Sequence, residues 1–100
     1  MRIRLAPQAR SDLDEIWLFI ARDSQSAVRA TRVVESITGK FALFAQFPSI
    51  GKSLDSVSRP HIHTFPVSNY VIFYSVKHHE VRILRIIHAS RDAYSVFANE

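Results

Sequence analysis

Apolar residues recur along the chain at several spacings, and each spacing marks a segment. In Arg2-Ile3-Arg4-Leu5 they alternate with arginines, which predicts a short strand with Ile3 and Leu5 on one face. From Gln8 to Arg22 the residues Ala9, Leu13, Ile16, Trp17 and Ile20 fall at helical spacing. Pro7 suits the first turn of that helix, where its missing N–H costs nothing. Asp12, Asp14 and Glu15 lie near the helix start, where the macrodipole favours acids. Leu18 and Phe19 sit off the main stripe, so either a second element covers them or they form a partner surface. Asp23-Ser24-Gln25-Ser26 breaks the pattern, and Ser24 or Ser26 is a natural N-cap. Ala27, Ala30, Val34, Ile37, Phe41 and Phe44 then recur in steps of three and four. That predicts one amphipathic helix of roughly five turns, with Gly39 inside it as a kink or a point of close packing. The short link between the two helices predicts an antiparallel hairpin.

Pro48 ends the second helix, Gly51 offers a turn, and Lys52 to Ser58 reads as a polar loop. His61 to Phe65 is a predicted strand, and Pro60 at its start suggests an edge position. Pro66 to Asn69 is the turn that follows. Two denser runs come next, Tyr70 to Val76 and Val81 to Ile87, both rich in β-branched and aromatic residues. Lys77-His78-His79-Glu80 between them has the length of a hairpin loop. Ser90 to Phe97 reads as a short terminal helix or an ordered tail. The order strand, helix, helix, strand, strand, strand predicts an α+β fold, β-α-α-β-β-β. In it the helical hairpin packs on one face of a four-stranded antiparallel sheet, in a single domain over residues 1–100. Val81 to Ile87, apolar on both faces except at its arginines, is expected to be central, with the N-terminal strand beside it. The other sheet face is expected to be partly open, with Arg85 on it or at its margin.

Composition narrows this picture only a little. With 47% hydrophobic and 22% charged residues the chain is of globular type rather than disordered. The net charge of +4 favours an anionic partner, nucleic acid or an acidic protein surface. The absence of cysteine points to a cytoplasmic protein held by its core alone. No signal peptide and no membrane-spanning stretch are evident.

The candidate chemistry lies toward the C-terminal end. Five histidines all fall between positions 61 and 88. His61 and His63 share a strand face, but no acid stands at a convincing third-ligand spacing, so no metal and no cofactor is expected. With two well-separated glycines there is no phosphate-binding loop, and no nucleophile-elbow motif supports a Ser-His-Asp arrangement. Arg85, His88, Arg91 and Tyr94 combine fixed cations, an imidazole and a phenol near one strand end. Such groups suit metal-free RNA cleavage, which needs a base, an acid and a cation for the phosphorane. They suit binding to an acidic surface equally well, and local capping by Arg91 and Asp92 accounts for part of the cluster without any function.

Several motifs in order resemble the ParE branch of the RelE/ParE toxin superfamily of type II toxin–antitoxin, or plasmid stabilisation, systems. They are Ala9 with Asp12-Leu13-Asp14-Glu15-Ile16, then Phe47-Pro48-Ser49-Ile50-Gly51, then Arg59 with Phe65 to Tyr74, and finally Val81 to Asp92, ending His88-Ala89-Ser90-Arg91-Asp92. The resemblance covers nearly the whole chain. It implies a toxin that inhibits DNA gyrase and is neutralised by a ParD-like antitoxin, or alternatively a RelE-like ribosome-dependent messenger RNA endonuclease. A degenerate toxin keeping only antitoxin binding is a third reading. On this basis Arg59, Arg85, His88, Arg91 and Tyr94 are candidate target-binding residues. If the protein is a nuclease, Arg85, His88, Arg91 and Tyr94 are the candidate catalytic set. Leu18 and Phe19 are candidate antitoxin contacts. Direct nucleic-acid binding is left open.

Overall fold

The computed structural model describes residues 1–54 and 61–99. In chain order the elements are β1 (Arg2–Leu5), α1 (Pro7–Ser24), α2 (Ala27–Thr38), α3 (Phe41–Gln46), β2 (Lys52–Ser53), β3 (Ile62–Val67), β4 (Tyr70–Lys77), β5 (Glu80–His88) and α4 (Ala93–Ala98). The strands form one five-stranded sheet in the order β1-β5-β4-β3-β2.

The sheet departs from the expected four-stranded antiparallel arrangement in two ways. Lys52–Ser53 adds a fifth strand, pairing antiparallel with Thr64 and His63. So β3, expected at the edge, is covered over part of its length. And β1 lies beside β5 as expected but runs parallel to it, Arg2 facing Glu80 and Leu5 facing Ile83. Three helices and three strands lie between β1 and β5 in sequence, so no short loop forces this pair antiparallel.

Two-residue turns join the remaining strands. Between β4 and β5, His78 and His79 both take left-handed backbone, φ 54° and 57°, as a turn matching the strand twist requires. One irregularity interrupts this hairpin. Phe73 faces Arg85 while Tyr74 faces Ile83, which leaves Leu84 as an extra residue. Such a bulge bends the strand and re-aims side chains. It falls just where β1 has ended.

The helical hairpin forms as the spacing implies. Gln25 in left-handed conformation (φ 54°) ends α1, and the Ser26 hydroxyl caps α2 by accepting from Arg29 N–H at 3.1 Å. Trp17 Nε1–H donates across the hairpin to Thr31 Oγ1 at 3.1 Å. The single long helix is instead two, α2 and α3, separated at Gly39-Lys40. Both linking residues keep right-handed helical angles (Gly39 φ −61°, ψ −21°; Lys40 φ −78°, ψ −17°), so the apolar stripe keeps its phase. Ile37, Phe41 and Phe44 all face the core.

Two apolar layers flank the sheet. Between helices and sheet, Leu13, Ile16, Ile37 and Phe44 pack on Tyr70, Ile72, Tyr74, Val81, Ile83 and Ile86. The other face is not the partly open surface expected. There α4 lays Ala93 and Phe97 on Ile62, Val71, Phe73 and Ile87, with Phe97 stacked on Phe73 at 4.3 Å. Asp92 caps this helix through the Ser95 N–H and hydroxyl, bonds that hold its carboxyl below the usual carboxylate range. The core also dictates Gly51. The buried Tyr74 hydroxyl donates to Pro48 O at 2.9 Å and accepts from Gly51 N–H at 2.8 Å. A Cβ at Gly51 would lie 2.5 Å from that hydroxyl oxygen and 2.8 Å from Thr64 O. No helix among the described residues is long and apolar enough to cross a membrane.

Candidate partner-binding cleft

Where β1 stops at Leu5, the outer edge of β5 continues alone, and α1 crosses over it. Asp12 of α1 closes this gap. Its Oδ2 accepts the Ile86 N–H at 2.9 Å, a group that a longer β1 would have paired. The same carboxylate takes Arg85 in a two-pronged contact, Nε to Oδ2 at 2.7 Å and an Nη to Oδ1 at 3.1 Å. Asp12 is 5% exposed and the Arg85 side chain 11%. Charged groups this deep are stable only when paired and hydrogen-bonded. Arg85 therefore lies at the sheet margin as expected, but its charge is directed at Asp12.

Beside this pair is a cleft of about 420 Å³. From α1, Glu15, Ile16 and Phe19 line one wall beyond Asp12. Tyr70 and Ile86 form its apolar base, the backbone-adjacent Ile87, whose side chain packs under α4, borders it, and His88, Ser90 and Arg91 stand at the end of β5. Burial pushes the Tyr70 phenol up from its ordinary value, so it is a neutral hydrogen-bonding group at physiological pH. The His88 ring meets Tyr70 edge-on at 5.0 Å.

His88 is held in one tautomer. The Ser90 amide lies 3.0 Å from His88 Nδ1, and an amide N–H can only donate, so Nδ1 accepts. The Ser90 hydroxyl, 2.6 Å from the same nitrogen, adds to this contact. The ring's remaining nitrogen, Nε2, then carries the proton and is a donor. Arg91 is exposed, and no hydrogen bond or ion pair of its side chain is formed among the described residues.

The candidate residues are thus regrouped. Arg85, His88 and Arg91, read as target contacts, share the cleft with Phe19, read as an antitoxin contact. Leu18 and Phe19 are indeed open to solvent, 46% and 63% exposed, and line an adjoining groove with Arg22. Tyr94 does not join them. It stands on α4, 50% exposed, with its ring edge-on to Phe73 on the opposite sheet face. The C-terminal segment, expected as a short helix or an ordered tail, is helix α4, anchored there by Phe97. Arg59 lies outside the described residues.

Among the described residues no group of three or more His, Cys, Asp or Glu could hold a metal ion. His63 instead stacks on Tyr74 at 5.2 Å with its Nδ1 3.3 Å from Gly51 O. The residues that the sequence did not flag as part of the site are Asp12, Glu15, Tyr70 and Ser90. A signal existed for Asp12: it is three residues after Ala9 and four before Ile16, on the buried stripe of its helix.

Residues 3–93 match the family described as the ParE toxin of the type II toxin–antitoxin system parDE. No curated protein matches the sequence. Among solved structures, a chain of the chromosomal ParDE toxin–antitoxin system from P. aeruginosa is similar, with TM-score 0.74, 23% identity, and 88% of this chain and 95% of that one covered. A chain of the toxin–antitoxin complex RelBE2 from Mycobacterium tuberculosis is similar at TM-score 0.60 and 22% identity, covering 87% and 95%. At these identities the two structures share the fold.

Proposed function

The chain belongs to the ParE toxin family of type II toxin–antitoxin systems, and from that premise we propose that it acts in the cytoplasm by binding and inhibiting DNA gyrase, and that a ParD-like antitoxin neutralises it. The observation that carries a binding role over catalysis is the state of the His88–Arg85 pair of groups. Metal-free RNA cleavage needs a base with an available lone pair and a cation able to stabilise the phosphorane. His88 has given its acceptor nitrogen to Ser90, Arg85 is neutralised by Asp12, and the phenol of Tyr94 is across the sheet. A binding surface needs none of the missing features. It needs an apolar floor, donors and a cation, and the cleft has these in Ile16, Phe19, His88 and Arg91.

The second reading, a ribosome-dependent messenger RNA endonuclease, draws on one observation: His88 and Arg91 line the same cleft, where a substrate-induced rearrangement would bring them to a phosphate. Two assays on one preparation separate the readings. Gyrase supercoiling with added protein is expected to fail, and messenger RNA on translating ribosomes is expected to stay uncut. Normal supercoiling with codon-positioned cuts would install the nuclease reading. Under the binding reading Arg91→Ala impairs activity more than His88→Gln. Under the nuclease reading the order reverses, since loss of general acid–base catalysis typically costs about 10²–10⁴-fold. Absence of growth arrest on induction in a bacterial host would leave a degenerate toxin.

A further inference from the structure

We infer that the open end of the sheet face opposite the helical hairpin binds the phosphate backbone of duplex DNA through Arg2, Arg4, Lys77 and Arg82. The inference stands on this face alone and does not depend on the target proposed for the toxin.

The strand register builds the site. Ile3 and Leu5 of β1 pack toward the helices, as do Val81 and Ile83 of β5, so alternation sends Arg2, Arg4, Glu80 and Arg82 to the other face. Arg2 lies beside Glu80 and Arg4 beside Arg82. Across β5, Lys77 lies beside Glu80 and Ser75 beside Arg82. Helix α4 packs on Val71, Phe73 and Ile87, toward the other end of these strands, and Arg2, Arg4, Lys77 and Arg82 are all exposed. This face therefore carries most of the protein's net charge of +4. Its one acid, Glu80, reaches Arg4 at 3.9 Å, a loose contact to a side chain 65% exposed. No ion pair or side-chain hydrogen bond of Arg2, Lys77 or Arg82 is formed among the described residues. Placing Arg4 directly opposite Arg82 is destabilising, since like charges on neighbouring strands repel. Charge on an edge strand deters pairing with other chains, which accounts for Arg2 and Arg4. It does not account for Arg82, because β5 is an interior strand. A polyanion laid on this face converts the repulsion into affinity.

The occupant follows from what these rows lack. None of their residues is aromatic, so unpaired bases find no ring to stack on; Tyr94 projects from α4 and is set edge-on to Phe73. None of the exposed large apolar side chains stands in these rows, so a protein partner finds no anchor for the centre of an interface. What remains is fixed positive charge, mostly guanidinium forks suited to phosphate oxygens. Cations two apart on a strand are separated by about 6.7 Å and adjacent strands by about 4.8 Å, a compact array. A duplex, with one negative charge per about 1.7 Å of its axis, has the charge density to engage several of them at once.

The test measures binding of the whole protein to a fluorescent duplex of mixed sequence by anisotropy, over a series of salt concentrations. Melting curves confirm that each variant is folded. If about three phosphates are neutralised, log K falls against log salt with a slope of about −2.7, or about 40-fold for each fourfold rise in salt. Arg2→Gln and Arg82→Gln are each expected to make the slope shallower by about 0.9. Glu80→Gln is expected to do the reverse, raising affinity and steepening the slope, a gain that a damaged fold does not produce. Arg32→Gln removes an exposed cation from α2 on the helical side and is expected to leave the slope unchanged. Equal losses in Arg32→Gln and Arg82→Gln would overturn the site, since charge spread over the whole protein would then explain binding. A wild-type slope in folded Arg82→Gln would overturn it as well. So would a single strand of the same length bound more tightly than the duplex, or phosphatidylserine vesicles bound through these residues with no binding to duplex.

Discussion

Replacing Asp12 by alanine should be among the most damaging single changes in this protein. The substitution removes a carboxylate that is 5% exposed and accepts from Arg85 at 2.7 and 3.1 Å and from the Ile86 amide at 2.9 Å. Deleting one partner of a buried ion pair costs about 3–5 kcal/mol, because the remaining charge stays largely buried without it. The stranded Ile86 N–H belongs to the same loss and would cost about 1–3 kcal/mol by itself. A domain of this size has a total stability of about 5–15 kcal/mol. At about 4–8 °C per kcal/mol, Asp12→Ala should lower Tm by at least ~12 °C. Urea titration followed by circular dichroism measures the free energy directly, and m should be unchanged, since the surface exposed on unfolding is the same. The companion variant Asp12→Leu/Arg85→Met separates charge from packing. It removes both ions of this pair while still stranding the Ile86 amide, so it should be more stable than Asp12→Ala alone. A melting curve for Asp12→Ala within about 4 °C of wild type, or a double variant less stable than the single one, would refute the idea that the pair holds α1 to the sheet margin.

Further outcomes follow from the core and the turns. Tyr74→Phe removes the hydroxyl that serves Gly51 N–H and Pro48 O and should cost about 1–3 kcal/mol in urea unfolding; Gly51→Ala, forced against that hydroxyl and Thr64 O, should cost a similar ~1–3 kcal/mol. Replacing His78-His79 by Asn-Gly relieves two left-handed backbones and should raise stability by about 1 kcal/mol, read as a higher denaturation midpoint. Burial raises the phenols of Tyr70 and Tyr74 above their ordinary value of 10.0. Their contribution is therefore fully present below pH 10 and lost as pH rises beyond it, and Tyr74→Phe should flatten the alkaline limb of stability against pH. Asp92 is the opposite case: its lowered pKa stabilises the α4 cap above about pH 4, and the benefit is lost as pH falls through the lower folded value.

The sequence carried the elements well and their neighbours poorly. The β4–β5 hairpin, the helical hairpin and the Ser26 cap were legible because each is set by residues within a few positions of one another. The break at Gly39 was not. The two linking residues keep helical angles, so the apolar rhythm from Ala30 to Phe44 runs through it unchanged. Nor did a two-residue strand at Lys52 leave any periodicity to read. Placement of the site failed where it depended on faces. His88 and Tyr94 are six residues apart, yet the strand end at His88 belongs to the helix-covered side and α4 folds under the other. Asp12 was read as an acid near the helix start, but α1 begins at Pro7 and has no acid in its first turn; the carboxylate's partner lies 73 residues away in Arg85, and nothing local announces it. A charge on an apolar stripe was the available clue.

The parallel pairing of β1 with β5 also sets a schedule. Arg2 and Ile3 meet Glu80 and Val81, so β1 pairs with a strand that is synthesised long after it. At about 5–20 residues per second of synthesis, roughly 4–15 s separate the emergence of Asp12 from that of Arg85. During that interval the wall of the cleft carrying Glu15, Ile16 and Phe19 exists without the wall carrying His88 and Arg91. Such long-range closure slows folding as well. On the toxin reading proposed above, a nascent chain that has not yet reached β5 is harmless, and an antitoxin that contacts both walls of the cleft binds only after β5 is made. A fragment of residues 1–79 should neither arrest growth nor bind the antitoxin; tight binding by that fragment would show that the α1 wall alone is enough.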